Sequence, residues 1–131
     1  MPNRQENTNW QYRLLARYEF PLQIAAAFNY RVQSGFPFSY IAPVSLPNAG
    51  TQNVFIESLD TNYSDAVSIF DIRLDKSVEM RGVKLTGIFD VYNLFNSNTV
   101  TNFFLTTGTT FNRVIAALDP RAFQISGGIQ F

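Results

Sequence analysis

Cysteine and histidine are both missing from the chain. The first absence removes disulfides, thiolate metal sites and thiol nucleophiles. The second removes the commonest general base and metal ligand. Catalysis would have to rest on carboxylates, Tyr, Ser or Lys, so the sequence predicts no enzyme, no metal and no cofactor. Charge is scarce as well: 10 Lys plus Arg balance 10 Asp plus Glu. Without a net positive field to hold a phosphate backbone, nucleic acid is not an expected partner. No apolar run approaches the roughly 18 residues of a transmembrane helix, so a membrane could be crossed only by strands. The opening residues 1–9 are polar and lack a signal-peptide pattern. They are read as a lead-in, the remnant of an extracellular loop, with Met1 expected to be a truncation or an internal start, and nothing here is expected to export the chain.

What is present is apolar surface, 46% of the residues against 15% charged, which is too hydrophobic for disorder. It is arranged with a period of two. Trp10, Tyr12, Leu14, Ala16, Tyr18 and Phe20 alternate with Gln11, Arg13, Leu15, Arg17 and Glu19. Beyond Pro21, Leu22, Ile24, Ala26, Phe28, Tyr30 and Val32 alternate with Gln23, Ala25, Ala27, Asn29, Arg31 and Gln33. Alternation of this kind marks strands. A one-residue slip would turn Arg13, Arg17 and Arg31 onto the apolar side, at roughly 2–4 kcal/mol each in mid-bilayer, so the register is strongly specified.

Three further strands follow. Phe70, Ile72 and Leu74 oppose Asp71, Arg73 and Asp75; Val83, Leu85, Gly87, Phe89 and Val91 oppose Lys84, Thr86 and Asp90, with Ile88 and Tyr92 breaking the pattern; Phe123, Ile125, Gly127, Ile129 and Phe131 oppose Gln124, Ser126, Gly128 and Gln130. Connections alternate in length, short near Pro21 and over 77–82, long over 36–66 and 96–120. Long loops without structure of their own argue against a compact soluble domain, whereas short periplasmic turns and long extracellular loops are normal in an outer-membrane barrel. A soluble sandwich also has one apolar face. Aromatics at both ends of an aliphatic middle, and strands near the roughly 9–11 residues of a tilted membrane strand, favour the membrane. The expected fold is all-β: an antiparallel transmembrane β-barrel segment, about five up-and-down strands over residues 10–131.

The stretch Phe89-Asp90-Val91-Tyr92-Asn93-Leu94-Phe95-Asn96 resembles the penultimate strand of TonB-dependent outer-membrane receptors, with Asp90, Asn93, Leu94, Phe95 and Asn96 as the family motif. Asp119-Pro120-Arg121-Ala122-Phe123 through Phe131 resembles the final strand, in which Phe123, Ile125, Gly127, Ile129 and Phe131 would form the signal read by the barrel-assembly machinery. Tyr18-Glu19-Phe20-Pro21 and Gln33-Ser34-Gly35-Phe36-Pro37 look like strand ends of the receptors carrying a carboxypeptidase-regulatory-like domain. The resemblance runs from Trp10 onward. It implies active nutrient uptake at the outer membrane and barrels of about 22 strands. It also implies an upstream plug domain, contact with TonB through that missing part, contact with outer-membrane lipid, and an unidentified small ligand. Five antiparallel strands cannot close without a parallel seam, so the rest of the barrel is expected upstream. A structural or adhesive barrel without coupled transport is the alternative, and a soluble β-sandwich binding protein a weaker one.

Arg13, Arg17, Arg31, Asp71, Arg73 and Asp75 are expected to face the lumen and pair across strands. Asp71, Asp75 and Asp90 could instead be read as a carboxylate site. Asp60, Asn62 and Asp65 offer calcium ligands without a regular calcium-loop spacing. Tyr40, Tyr63, Phe103, Phe104 and Phe111 could stack on an extracellular ligand or pack on one another.

Overall fold

The computed structural model describes residues 9–58 and 61–131. Among them every regular element is a strand: β1 Gln11–Phe20, β2 Ile24–Gln33, β3 Pro37–Phe38, β4 Ile41–Leu46, β5 Gly50–Phe55, β6 Asn62–Tyr63, β7 Val67–Met80, β8 Val83–Tyr92, β9 Val100–Phe103, β10 Val114–Ala117 and β11 Ala122–Gln130. The chain divides into two units. One comprises Gln11–Val32, Ser68–Asn98 and Asp119–Phe131; the other holds Gln33–Val67 and Thr99–Leu118 together with Trp10.

The first unit is a five-stranded antiparallel sheet in the order β1-β2-β7-β8-β11. These are the five strands that alternation predicts. β7 pairs with β8 from Ile72↔Val91 to Met80↔Val83, and β8 with β11 from Ala122↔Tyr92 to Gln130↔Lys84. β7 therefore runs on to Met80, because Ser77, Val78, Glu79 and Met80 continue the alternation that the sequence reading assigns to a connection. Short turns close its hairpins. Pro21, Leu22 and Gln23 link β1 to β2, the last two at φ 70° and 56°, and Arg81 and Gly82 (φ 51° and 83°) link β7 to β8. Positive φ at two consecutive turn positions matches the twist of the flanking strands. The sheet is open, with β1 and β11 as its edges, and no closed barrel forms among the described residues.

One face of this sheet gathers the apolar residues of all five strands, and it lies exposed: Tyr18 is 64% accessible, Ile125 84% and Ile129 67%. Ala25, Val67 and Val91 are the only buried hydrophobic residues described. Without a covered face, hydrophobic burial contributes little to holding the strands together. The hydrogen-bonded ladder and the opposite, polar face carry that task.

The second unit holds three two-stranded pairings, β3-β6, β4-β5 and β9-β10. The long connections thus contain paired strands where alternation predicts loops. Gly35 sits against Ser64 so closely that a Cβ would lie 1.8 Å from the Ser64 carbonyl oxygen. The two segments are joined there by Phe36 N donating to Ser64 Oγ and Ser64 N donating to Phe36 O, both at 2.9 Å.

Candidate functional site

The polar face of the sheet brings the sequence-predicted charges together. Small residues on β2 make this work: beside Ala25 and Ala27, Arg17 of β1 reaches past β2 to Asp75 of β7 at 3.4 Å, and it also meets Glu19 at 3.4 Å. Further along, Asn29 of β2 bridges two strands. It accepts from Arg13 Nε at 3.2 Å and donates through Nδ2 to Asp71 Oδ2 at 3.0 Å. Arg73 and Asp90, partners in the β7–β8 register, meet through two bonds, Nε to Oδ1 at 2.6 Å and Nη2 to Oδ2 at 3.0 Å. Asp90 is 3% exposed. Paired geometry of this kind satisfies a buried carboxylate that would otherwise bear its full desolvation cost. Ser77 and Thr86 meet at 3.0 Å towards the turns.

Arg17, Asn29, Asp71, Arg73, Asp90 and Tyr92 line a cavity of about 380 Å³ on this face, with Leu15 and Ala27. Arg31 is half-buried, and its Nε has no hydrogen-bond partner among the described residues. The acids read as a carboxylate site are each occupied: Asp71 by Asn29, Asp75 by Arg17, Asp90 by Arg73. Among the described residues no group of three such side chains gathers to hold a metal. What this arrangement can do is line a surface with fixed, mutually neutralised dipoles.

The Asn93-Leu94-Phe95-Asn96 motif forms a clamp at the end of β8. Asn93, buried and at φ 51°, donates its backbone N–H to Asp71 Oδ1 at 2.9 Å. Its Nδ2 donates to the carbonyls of Ser97 at 2.9 Å and Asp119 at 2.7 Å, and its Oδ1 accepts from Ser97 N at 2.9 Å. Asn96, at φ 53°, accepts from Arg121 N at 3.0 Å, just before β11 begins. Leu94 N donates to Phe70 O at 2.8 Å, and Phe95 lies against the Phe70 ring at 5.5 Å. Alternation places Asn29 on the polar side of its strand, but nothing in the sequence assigns it a role there. A polar side chain among three alanines and a phenylalanine is its only signal.

On the apolar face Phe28, Tyr30, Phe70 and Phe95 form one aromatic group at the end where the long connections leave. Tyr18 and Phe20 pack edge to face at 4.7 Å at the turn end. Phe123, Ile125, Gly127, Ile129 and Phe131 continue this face on β11, with Phe123 over Phe89 at 6.3 Å. In the second unit Tyr40 and Phe103 pack on Phe38, at 5.5 and 4.7 Å, and Phe111 packs on Tyr40 at 4.9 Å. Tyr63 and Phe104 stay exposed. Of the calcium candidates, Asn62 hydrogen-bonds Glu57 and Asp65 is exposed, while Asp60 lies outside the described residues.

A scan against protein-family models, a search of curated proteins and a search of solved structures each return no match.

Proposed function

We propose that the five-stranded sheet is a wall segment of an outer-membrane β-barrel, and that the parent protein is a TonB-dependent receptor taking up a small nutrient. In this reading the apolar face meets lipid, the face of Arg13, Arg17, Arg31, Asp71, Arg73 and Asp75 meets the lumen, and the hairpin-rich second unit is extracellular. The observation that carries it is the pairing of an exposed, aromatic-rimmed apolar face with an ion-paired polar face on one open sheet. In water that apolar face would be an aggregation surface; in a bilayer it is the ordinary exterior of a barrel strand. The unpaired edges of β1 and β11 fit strands supplied by the rest of the barrel, since a lipid-facing edge leaves backbone groups unsatisfied. The Asn93–Asn96 motif and the alternating β11 favour a receptor over an adhesive barrel.

A protein without cysteine accepts single reporters cleanly. Fluorophores on Ala16→Cys and Ala26→Cys in phosphatidylcholine vesicles should be quenched by bromine on the acyl chains, and those on Leu15→Cys and Ala27→Cys by aqueous iodide. Iodide reaching both sets would reject the membrane wall. Recovery from native outer membranes of one polypeptide carrying both these strands and a plug domain would support the receptor; recovery without a plug would favour the adhesive barrel.

A further inference from the structure

The apolar face carries one charged side chain among the described residues of the five strands, Lys76. Its register partner is Gly87, and Gly87 pairs in turn with Gly127 on β11. Beyond the lysine this row has no side chains. A groove of about 410 Å³ opens beside it, with Lys76, Ile24, Leu74, Phe89 and Ile125 in its lining; Asp75 also lines it, but its carboxylate is taken up by Arg17 on the polar face. Lys76 has no ion pair among the described residues. An ammonium on an apolar face has to find an anion or water.

The fold itself does not require the two glycines. Neither has a positive φ. A Cβ on Gly87 would meet nothing within 4 Å, and one on Gly127 only the Thr86 carbonyl oxygen at 3.8 Å. Glycine weakens a strand interior, and where the backbone does not demand it, it marks a place where something else approaches closely. Apolar walls with a lone ammonium beside them complement a molecule that has a long hydrocarbon chain and an anionic head.

We propose that this groove seats one phospholipid, its acyl chain against Leu74, Phe89 and Ile125 and its phosphate on the Lys76 ammonium. The site rests on the membrane-wall reading above. It adds to that reading a preference for anionic lipid at one fixed position on the wall.

The test uses the full chain reconstituted in phosphatidylcholine vesicles containing a minor fraction of phosphatidylglycerol. The protein is extracted in mild detergent and its retained lipid is counted by native mass spectrometry. The wild-type chain should hold phosphatidylglycerol in preference to phosphatidylcholine. Filling the groove with Gly87→Val should keep the β signal in circular dichroism and cut retained lipid by about tenfold, whereas Lys76→Gln should abolish the preference between the two lipids. If the valine variant loses its β signal, Lys76→Gln decides alone. Retention unchanged in the filled variant, or an undiminished preference in Lys76→Gln, overturns the site. Bromolipid quenching of a fluorophore on Ala16→Cys of β1, within the sheet itself, separates the two levels. If that fluorophore is not quenched, the membrane wall itself fails and the site with it; if it is quenched while retention ignores the variants, only the site fails.

Discussion

Asp71 on β7 accepts the backbone N–H of Asn93, the residue directly after β8, at 2.9 Å, while its other oxygen accepts from Asn29 on β2. One carboxylate thus ties the end of the β8 strand to the hydrogen-bonded row that crosses the polar face. Asn93 passes the constraint on to β11 through the Asp119 carbonyl. Truncation by Asn93→Ala removes three hydrogen bonds and puts alanine at positive φ, so a loss of about 2–4 kcal/mol is expected in urea unfolding of the micelle-embedded protein. Asn93→Gly should recover only the backbone part, since glycine tolerates the φ but holds nothing. A glycine variant as stable as the wild-type chain would mean that the side-chain bonds contribute nothing.

The Arg73–Asp90 pair makes an asymmetric prediction. Asp90 is buried and Arg73 half exposed. Removing the arginine strands a carboxylate without water or partner, while removing the acid returns the guanidinium to solvent. Arg73→Ala should therefore lower the urea midpoint clearly more than Asp90→Asn does. Midpoints lowered equally, or in the opposite order, would mean that the face is already hydrated around Asp90.

Most of the sheet was legible because each strand has one apolar and one polar side, and the two sides repeat every second residue whatever the strand pairs with. Trp10 to Phe20 and Phe123 to Phe131 are read that way. Ile88, which breaks the alternation, turns out to share the polar side with Asp75, its register partner, without shifting the register. The β3-β6 and β9-β10 pairings of the second unit were not legible, since these strands span two to four residues each and have no room for a period. They are fixed by contacts distant in sequence, such as Gly35 with Ser64. The clamp was half legible. Its residues stand out as a motif, but their task depends on positive φ at Asn93 and Asn96, which sequence alternation does not report.

Gly35 separates the two units experimentally. A methyl group there would overlap the Ser64 backbone, so Gly35→Ala must push apart the segments joined by the paired Phe36 and Ser64 bonds. Hydrogen exchange should show faster exchange at the Phe36 and Ser64 amides, with amides of β7 and β8 unchanged. Exchange accelerated throughout the sheet as well would show that the units unfold together.

The two turns of the sheet differ in that only one of them has glycine at a positive-φ position. Both place two consecutive residues at positive φ, but Arg81-Gly82 ends on glycine while Leu22-Gln23 uses two side chains that resist the left-handed region. Leu22 is 81% exposed, so its side chain contributes no packing that a substitution would lose. Replacing the pair with Asn-Gly, the sequence that this turn geometry favours, should stabilise the chain by about 1–2 kcal/mol. The gain should appear as a higher urea midpoint with an unchanged slope. Gln23→Gly alone should give about half of it, because only one of the two strained positions is relieved. If the single and double variants both match the wild-type midpoint, the Leu22 and Gln23 conformations are not strained in the folded chain.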